Sequence, residues 1–414
     1  MSKPAISESA SGYILTWEDC SLTIKASRVD VHKEGRVTGE LLITTNLKDY
    51  NPILHPQTQF NFSAQRTRNE LISTLQKDFP DWSWKEIINQ TCYHVQELSR
   101  QGAPLQEIWT GDVDIKPPIY LIKPIIYEGV PTIFYGEKGS LKSTTAQVLY
   151  IALTLPWHDN LLGLETPNTS VKTIYLDWEV ESNLVSWNMK KLQLGMKLPD
   201  IPIYYRRCEA PLADDIDQIK KYVTEADAKA VVIDSLGQAA GGELKDAEVA
   251  LKFYKGLRQL KVTSYILAQT SKNEEGKKSV YGSTFFEYYA RSVYEIRKVQ
   301  QEGEDDVSVG LFHKYCNLSK LNPPMGFKMH FSETAITVER QDVKTFAEFK
   351  ARLNTQTRIL EELKQGGRTT KELLTILEVS RASIDMAIKR LKDKKSINML
   401  DGKWVLSSTR EDFN

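Results

Sequence analysis

The sequence predicts an α/β fold: a mostly parallel sheet with helices on both faces, preceded by a small α+β domain and followed by a helical domain ending in a hairpin. Three observations carry this. Between residues 130 and 340, short β-rich apolar runs (TIFY, KTIYLDW, IPIYYRR, AKAVVIDS, TSYILAQ, SVYEIRK, VSVGLFHK) alternate with amphipathic stretches. Continuous apolar strands separated by helices mark a parallel sheet buried on both faces. Before residue 104 the pattern alternates residue by residue and then turns helical, and after residue 345 helical stretches lead into Asp401-Gly402, a two-residue hairpin signal.

The bulk numbers narrow the field without deciding it. At 414 residues the chain accommodates two or three domains with full cores. Lys+Arg and Asp+Glu are both 54, so any nucleic-acid surface must be local. The four cysteines, Cys20, Cys92, Cys208 and Cys316, form no C-x-x-C pair. That spacing points away from a zinc site or a disulfide framework and towards a reducing cytoplasm. No apolar stretch reaches the length that crosses a bilayer, so a soluble, cytoplasmic protein with no membrane partner is expected. The six histidines make no H-E-x-x-H or H-x-x-E-H spacing, and no G-x-S-x-G elbow occurs.

Taken in order, residues 1–104 hold strand-like runs (YILTWEDCSLTIKASRVDV, GELLITTN) and two helix-like runs (RTRNELISTLQKDF, SWKEIINQTCYHVQELSRQ). Trp17, Trp82 and Trp84 in this domain are read as core. Residues 105–129 are Pro-punctuated, a tether expected to pack along the next domain. Residues 130–340 form the main α/β domain. In residues 345–409, ARLNTQTRILEELKQ is one helix closed by Gly366-Gly367. TTKELLTILE follows with Thr369 as its N-cap, then SRASIDMAIKRLKDKK, then INMLDGKWVL around the Asp-Gly turn. Helix, helix–turn–helix and hairpin is the layout of a winged-helix domain.

The chemistry concentrates at residues 136–144, GEKGSLKST, directly after the apolar run Val130–Tyr135 and before TTAQVLYIAL. A strand feeding a Gly-rich turn and then Lys-Ser at a helix start is a phosphate-binding P-loop. Gly136, Glu137, Lys138, Gly139, Ser140, Leu141, Lys142, Ser143 and Thr144 are its nucleotide-binding residues. Lys142 would reach the β/γ-phosphates of ATP, and Ser143 would take one position on Mg²⁺. Leu141 stands where the usual G-x-x-x-x-G-K-[ST] has Gly.

Three further elements follow in order. The strand TIYLD ends in acids, and an acid at the end of a strand neighbouring the P-loop strand can deprotonate the attacking water. Glu179 is the candidate base, with Asp177 and Glu181 as alternatives. The apolar strand Val231–Ser235 ends in Asp234, the Walker B arrangement that delivers a carboxylate to the Mg²⁺ shell. The strand YILAQTS ends in Gln269, a polar residue placed to sense the γ-phosphate and relay its loss to the next loop.

In this order the motifs resemble those of RecA-fold ATPases, and most closely the branch of hexameric plasmid replication helicases named RepA with their phage and mobile-element relatives. The resemblance covers roughly residues 118–340 and includes YLDWEVE, VVIDSLGQAAGGELKDAE, the AQTSK…YGSTFFEYYARSVYEIRK block, and Lys314 and Asn317 in K-x-x-N spacing. Members of that branch often carry a bulky residue before the P-loop lysine, which makes Leu141 a family variant. A ParA-like assignment fails, since its second lysine would fall at Glu137. The resemblance implies a homo-oligomer, a hexamer in that branch, with nucleotide between subunits. A basic residue acting across that boundary would be Arg297 or Lys298, with Arg291 a weaker candidate. It also implies that the loop after Gln269 faces a channel holding single-stranded DNA, through Lys272, Lys277, Lys278 and Tyr281. Duplex contact would fall to the helix starting at Arg381, with Lys389 and Arg390 on it.

The sequence reading is therefore an ATP-dependent DNA motor or helicase of the RepA type, serving replication or recombination of a mobile element. Two other readings use the same residues: an ATP-switched DNA-binding assembly factor without strand separation, and a nucleotide-binding scaffold carrying a DNA-binding winged helix.

Overall fold

The computed structural model describes residues 2–9, 11–32, 34–102, 105, 107, 110, 119–271, 279–300, 304–343 and 355–407. In the N-terminal part β1 (Ala5–Glu8), β2 (Tyr13–Trp17), β3 (Leu22–Val31), β4 (Val37–Thr45) and β5 (Ile53–Asn61) form an antiparallel sheet in chain order. Every second residue of β4, from Val37 to Thr45, is buried, the period of two that a one-sided sheet imposes. Helices α1 (Gln65–Asp78) and α2 (Trp84–Gln101) cover that face, sharing a core with Leu15, Trp17, Ile24 and Ile43. Trp17, Trp82 and Trp84 are all buried there.

The described end of the tether folds back as a short hairpin, β6 (Tyr120–Ile122) and β7 (Ile126–Tyr127). Ile122, Ile125 and Ile126 enter the core of the following domain, and the Tyr294 hydroxyl donates to the Pro124 carbonyl at 3.0 Å.

The central domain runs β8 (Pro131–Gly136), α3 (Lys142–Thr154), β9 (Thr173–Asp177), α4 (Ser182–Gly195), β10 (Tyr204–Arg207), α5 (Ile216–Glu225), β11 (Ala230–Asp234), α6 (Leu236–Ala240), α7 (Ala247–Gln259), β12 (Thr263–Gln269), α8 (Phe285–Tyr289) and β13 (Ser292–Val299). Three more strands follow, β14 (Asp306–Cys316), β15 (Met325–Phe331) and β16 (Ile336–Gln341). All nine strands join one sheet in the order β10-β9-β11-β12-β8-β13-β14-β15-β16. From β10 to β13 neighbours are parallel; from β13 to β16 they are antiparallel. Alternate residues of β8 feed opposite layers. Phe134 packs with α3 and α4, while Ile133 and Tyr135 pack with α5 to α8.

One expectation is corrected by this order. The acid-bearing strand β9 does not neighbour the P-loop strand β8: β11 and β12 lie between them. Strands β11 and β12 are almost wholly buried, so they take the centre, where neighbours and helices cover every side. Strand β10 ends in Arg206 and Arg207, stays partly exposed, and takes the edge beside β9. Strands β15 and β16 were not expected from the sequence, because charges interrupt them (FKMHF, ITVERQ).

The C-terminal part contains α9 (Thr355–Lys364), α10 (Thr370–Leu377) and α11 (Arg381–Asp393), then β17 (Ile397–Leu400) paired with β18 (Lys403–Leu406). Thr369 and Glu372 form a reciprocal capping box at the start of α10. Asp401 and Gly402, at φ 48° and 76°, close the hairpin with the two positive φ angles a tight turn requires. Ile359, Leu373, Ile384, Ile388 and Ile397 form its core. Among the described residues, no helix is long and apolar enough to cross a membrane.

Candidate nucleotide site

The ends of the parallel strands put the sequence-predicted acids on one edge of the sheet. Gly136 closes β8 where a Cβ would lie 2.6 Å from both the Ile296 carbonyl oxygen and Ser140 Oγ, so only glycine fits. Glu137, Lys138 and Gly139 are exposed at the tip of the loop, while Ser140 is buried with no partner for its Oγ. Leu141 holds φ 62° and ψ 32°, the left-handed conformation for which the usual motif supplies Gly. Its side chain packs on the core between the sheet and α3, which offsets a backbone strain of about 1 kcal/mol.

Lys142 Nζ donates to the carbonyls of Gly136 at 3.0 Å and Glu137 at 2.8 Å, so the ammonium lies over the loop. Burial lowers its pKa, partly offset by the charges of Asp234 and Glu179. Thr144 is buried one residue after Ser143 in the first turn of α3.

Three acids meet where β9 and β11 end side by side, with Asp177 opposite Asp234 in register. Asp234 is 4% exposed. Its Oδ2 accepts the Tyr175 hydroxyl at 2.7 Å, and the Ser143 hydroxyl also bonds it. Burial pushes its pKa up to about 6, against the pull of those two hydrogen bonds. Asp177 is not placed as a base: its Oδ1 accepts the amides of Glu179 at 2.7 Å and Val180 at 3.0 Å, fixing the turn after β9. Its Oδ2 is buried without a partner. Glu181 points elsewhere, pairing with Arg207 at 3.4 Å. Glu179 and Glu181 are both exposed, but of the three candidates Glu179 is the one whose carboxylate accepts from Ser235 Oγ, at 2.5 Å, beside Asp234.

Among the described residues no group of three or more His, Cys, Asp or Glu has metal-holding geometry. The donors present fit Mg²⁺ all the same. The Ser143 hydroxyl and Asp234 carboxylate are adjacent hard oxygens, and Asp177 Oδ2 is an orphaned buried acceptor in the same cluster. Mg²⁺ takes few protein ligands and fills the rest with water and phosphate.

Gln269 ends β12 opposite Gly136 in the ladder and is exposed. Its carbonyl accepts the Tyr281 amide at 2.8 Å, and Ser271 N donates to Ser279 O at 2.9 Å, so the base of the next loop is a closed ladder. Lys272, Lys277 and Lys278 lie outside the described residues. Arg297 and Lys298 follow Ile296, which pairs with Gly136, and so reach the same edge. Lys298 is exposed, but Arg297 is held within its own chain. It bonds buried Glu295 at 2.5 Å and lies over the Phe312 ring at 5.6 Å. Arg291 lies at the opposite end of the sheet from its own chain's P-loop: its amide donates to Pro131 at the start of β8, roughly 16 Å of strand from Gly136. Asn317 lies at that far end too, donating to the Arg291 carbonyl at 3.0 Å, and Lys314 reaches Glu295 at 3.6 Å. On α11, Arg381, Lys389 and Arg390 are exposed, with Arg381 3.8 Å from Asp385.

Sequence reasoning missed Tyr175 and Ser235, the two hydroxyls that hold the acids. The available signal was a tyrosine inside an otherwise aliphatic buried strand, since a buried phenol needs a partner.

A family model described as "AAA domain" matches residues 99–275. Among solved structures, the chain is similar to a KaiC-like protein from the hyperthermophilic archaeon Pyrococcus horikoshii OT3. The identity is 19%, over 57% of this chain and 99% of that one, with a TM-score of 0.37. A comparison with curated proteins finds no match. The domain match spans the P-loop, both acidic strand ends and Gln269, and with that geometry the central domain is a P-loop ATPase.

Proposed function

We propose that the protein is a DNA-acting motor of the RepA type, in which hydrolysis of Mg·ATP by a homo-oligomeric ring drives movement along DNA. The observation that carries the reading is the juxtaposition of Glu179 and Asp234 on the strand ends beside the P-loop, with Gln269 locked to Gly136 and to the base of the following loop. The exposed basic residues of α11 support a duplex contact, as phosphate neutralisation needs solvent-facing cations.

In this account the backbone N–H groups of residues 137–143 and the start of α3 cradle the phosphates. Lys142 leaves the carbonyls of Gly136 and Glu137 for the β/γ-phosphates, neutralising charge that builds in the transition state. Glu179 orients the attacking water and takes its proton. Ser143 and Asp234 would hold Mg²⁺, which when bound neutralises phosphate charge. Gln269 carries the state of the γ-phosphate to the ladder at Tyr281. Because Glu295 holds Arg297 in its own chain, Lys298 is the better placed residue to act on a neighbour's nucleotide.

A forked-duplex unwinding assay with Lys142→Ala as control tests this. Strand displacement that requires ATP and Lys142 is expected. DNA-stimulated hydrolysis with no displacement would replace the motor by an ATP-switched assembly, and no hydrolysis would leave a nucleotide-binding scaffold.

A further inference from the structure

We infer that Ser235 is a positioning residue for Glu179, holding the hydrolytic carboxylate in place through its side-chain hydroxyl. The inference rests on Glu179 being the base. Ser235 is 5% exposed and follows Asp234 directly, whereas Glu179 is exposed at the end of the adjacent strand. The Trp178 amide donates to the Asp234 carbonyl at 2.7 Å, which continues the β9/β11 ladder one step past the Asp177–Asp234 pair and brings the turn that carries Glu179 against Ser235. Ser235 Oγ then donates to Glu179 Oε1 at 2.5 Å.

The use of that hydroxyl is informative. Ser235 is the N-cap of α6, with extended backbone at φ −129° and ψ 170°. A serine there ordinarily accepts a hydrogen bond from an amide of the first helical turn. Ser235 makes no such cap bond. Its hydroxyl is directed at the carboxylate instead, so the position forgoes a favourable helix-capping interaction.

The second restraint comes from the other end of the residue. Asp177 Oδ1 accepts the Glu179 amide at 2.7 Å and so fixes its backbone. With Cα anchored by Asp177 and Oε1 by Ser235, the direction of Oε2 is set before substrate arrives. A flexible glutamate would otherwise have to lose its rotamer freedom in the transition state, and preorganisation removes that cost from the chemical step.

The test is a double-mutant cycle in the full chain, measuring steady-state ATP hydrolysis for Ser235→Ala, Ser235→Thr, Glu179→Gln and Glu179→Gln/Ser235→Ala. Affinity for a non-hydrolysable ATP analogue and thermal melting serve as controls on binding and folding. Ser235→Ala is expected to lower kcat roughly ten- to hundredfold, within the range a positioned base contributes, with KM and analogue affinity unchanged. Ser235→Thr, which keeps the hydroxyl, should recover most of the rate. The double variant should be no slower than Glu179→Gln, because Ser235 acts through that carboxylate. Wild-type or raised kcat in Ser235→Ala, a change in KM alone, or additive losses in the double variant would each overturn the inference. Should Ser235→Ala melt early, Ser235→Cys, close in volume but a weak donor, must still show the kcat loss. If Glu179→Gln hydrolyses ATP at the wild-type rate, the base assignment itself is wrong. An inactive Glu179→Gln beside a fully active Ser235→Ala removes only the role given to Ser235.

Discussion

The Tyr175 hydroxyl donates to Asp234 Oδ2 at 2.7 Å across two adjacent buried strands, linking the acid-bearing strand β9 to the Walker B carboxylate. Tyr175 is fully buried and its ring lies 6.4 Å from that of Tyr205, nearly parallel. Tyr175→Phe keeps the ring and removes the donor. A hydrogen bond to a charged group contributes about 1.5–3 kcal/mol, so a loss of stability near the lower figure is expected, because Ser143 still bonds Asp234. Urea unfolding measures this directly. An unchanged midpoint would mean that the bond contributes nothing to the folded state.

Leu141 is the second test. In the left-handed region, Leu141→Gly relieves about 1 kcal/mol of strain and gives up a half-buried side chain of similar worth, so stability should change by less than about 1 kcal/mol. Leu141→Val puts a β-branched residue at positive φ and should destabilise by more than that. Thermal melts, with titration of an ATP analogue, separate the two variants. ATP binding retained in Leu141→Gly supports reading the position as a tolerated departure from the motif.

How far the sequence reached can be judged from these residues. Residues 136–144 and the ends of β9, β11 and β12 were legible because phosphate chemistry requires those residue types at strand ends, and local pattern reveals strand ends. Strand order was not legible. Nothing local says that β11 and β12 insert between β9 and β8; burial on all sides decides that. The roles of Asp177, Arg297 and Arg291 were likewise hidden, because turn geometry, burial and strand direction decide them. The Glu295–Arg297 pair joins residues two apart on one face of β13, yet only its burial separates it from a solvated charge.

His313 gives a pH dependence whose sign is fixed by its partners. It stacks on Tyr294 at 4.2 Å, Nδ1 accepts the Asn322 amide at 3.0 Å, and Nε2 lies 3.0 Å from Ser292 Oγ. An accepting Nδ1 requires the neutral ring, and burial lowers the pKa to about 4. A base with a depressed folded-state pKa contributes its full stability above the unfolded value near 6.5. That contribution is lost as pH falls from 6.5 towards 4, by up to about 3 kcal/mol. Unfolding free energies across this window should fall more steeply for the wild type than for His313→Gln. Equal slopes would place the acid sensitivity elsewhere.

The α11 surface makes a separable claim about DNA. Replacing Lys389 and Arg390 by Ala removes two exposed cations from a helix whose core is Ile384, Ala387, Ile388 and Leu391. Stability should move by less than about 0.5 kcal/mol. If both contact phosphates, duplex binding should weaken and the slope of log K against log salt should drop by about 2. An unchanged slope in a salt titration would take these residues off the DNA.

ATP hydrolysis by the full chain, with and without single-stranded DNA, in wild type, Lys142→Ala and Glu179→Gln, tests the central claim most directly. The account predicts hydrolysis that DNA accelerates in the wild type, loss of nucleotide binding in Lys142→Ala, and analogue binding without turnover in Glu179→Gln. Wild-type turnover in Glu179→Gln, or hydrolysis indifferent to DNA, would contradict it.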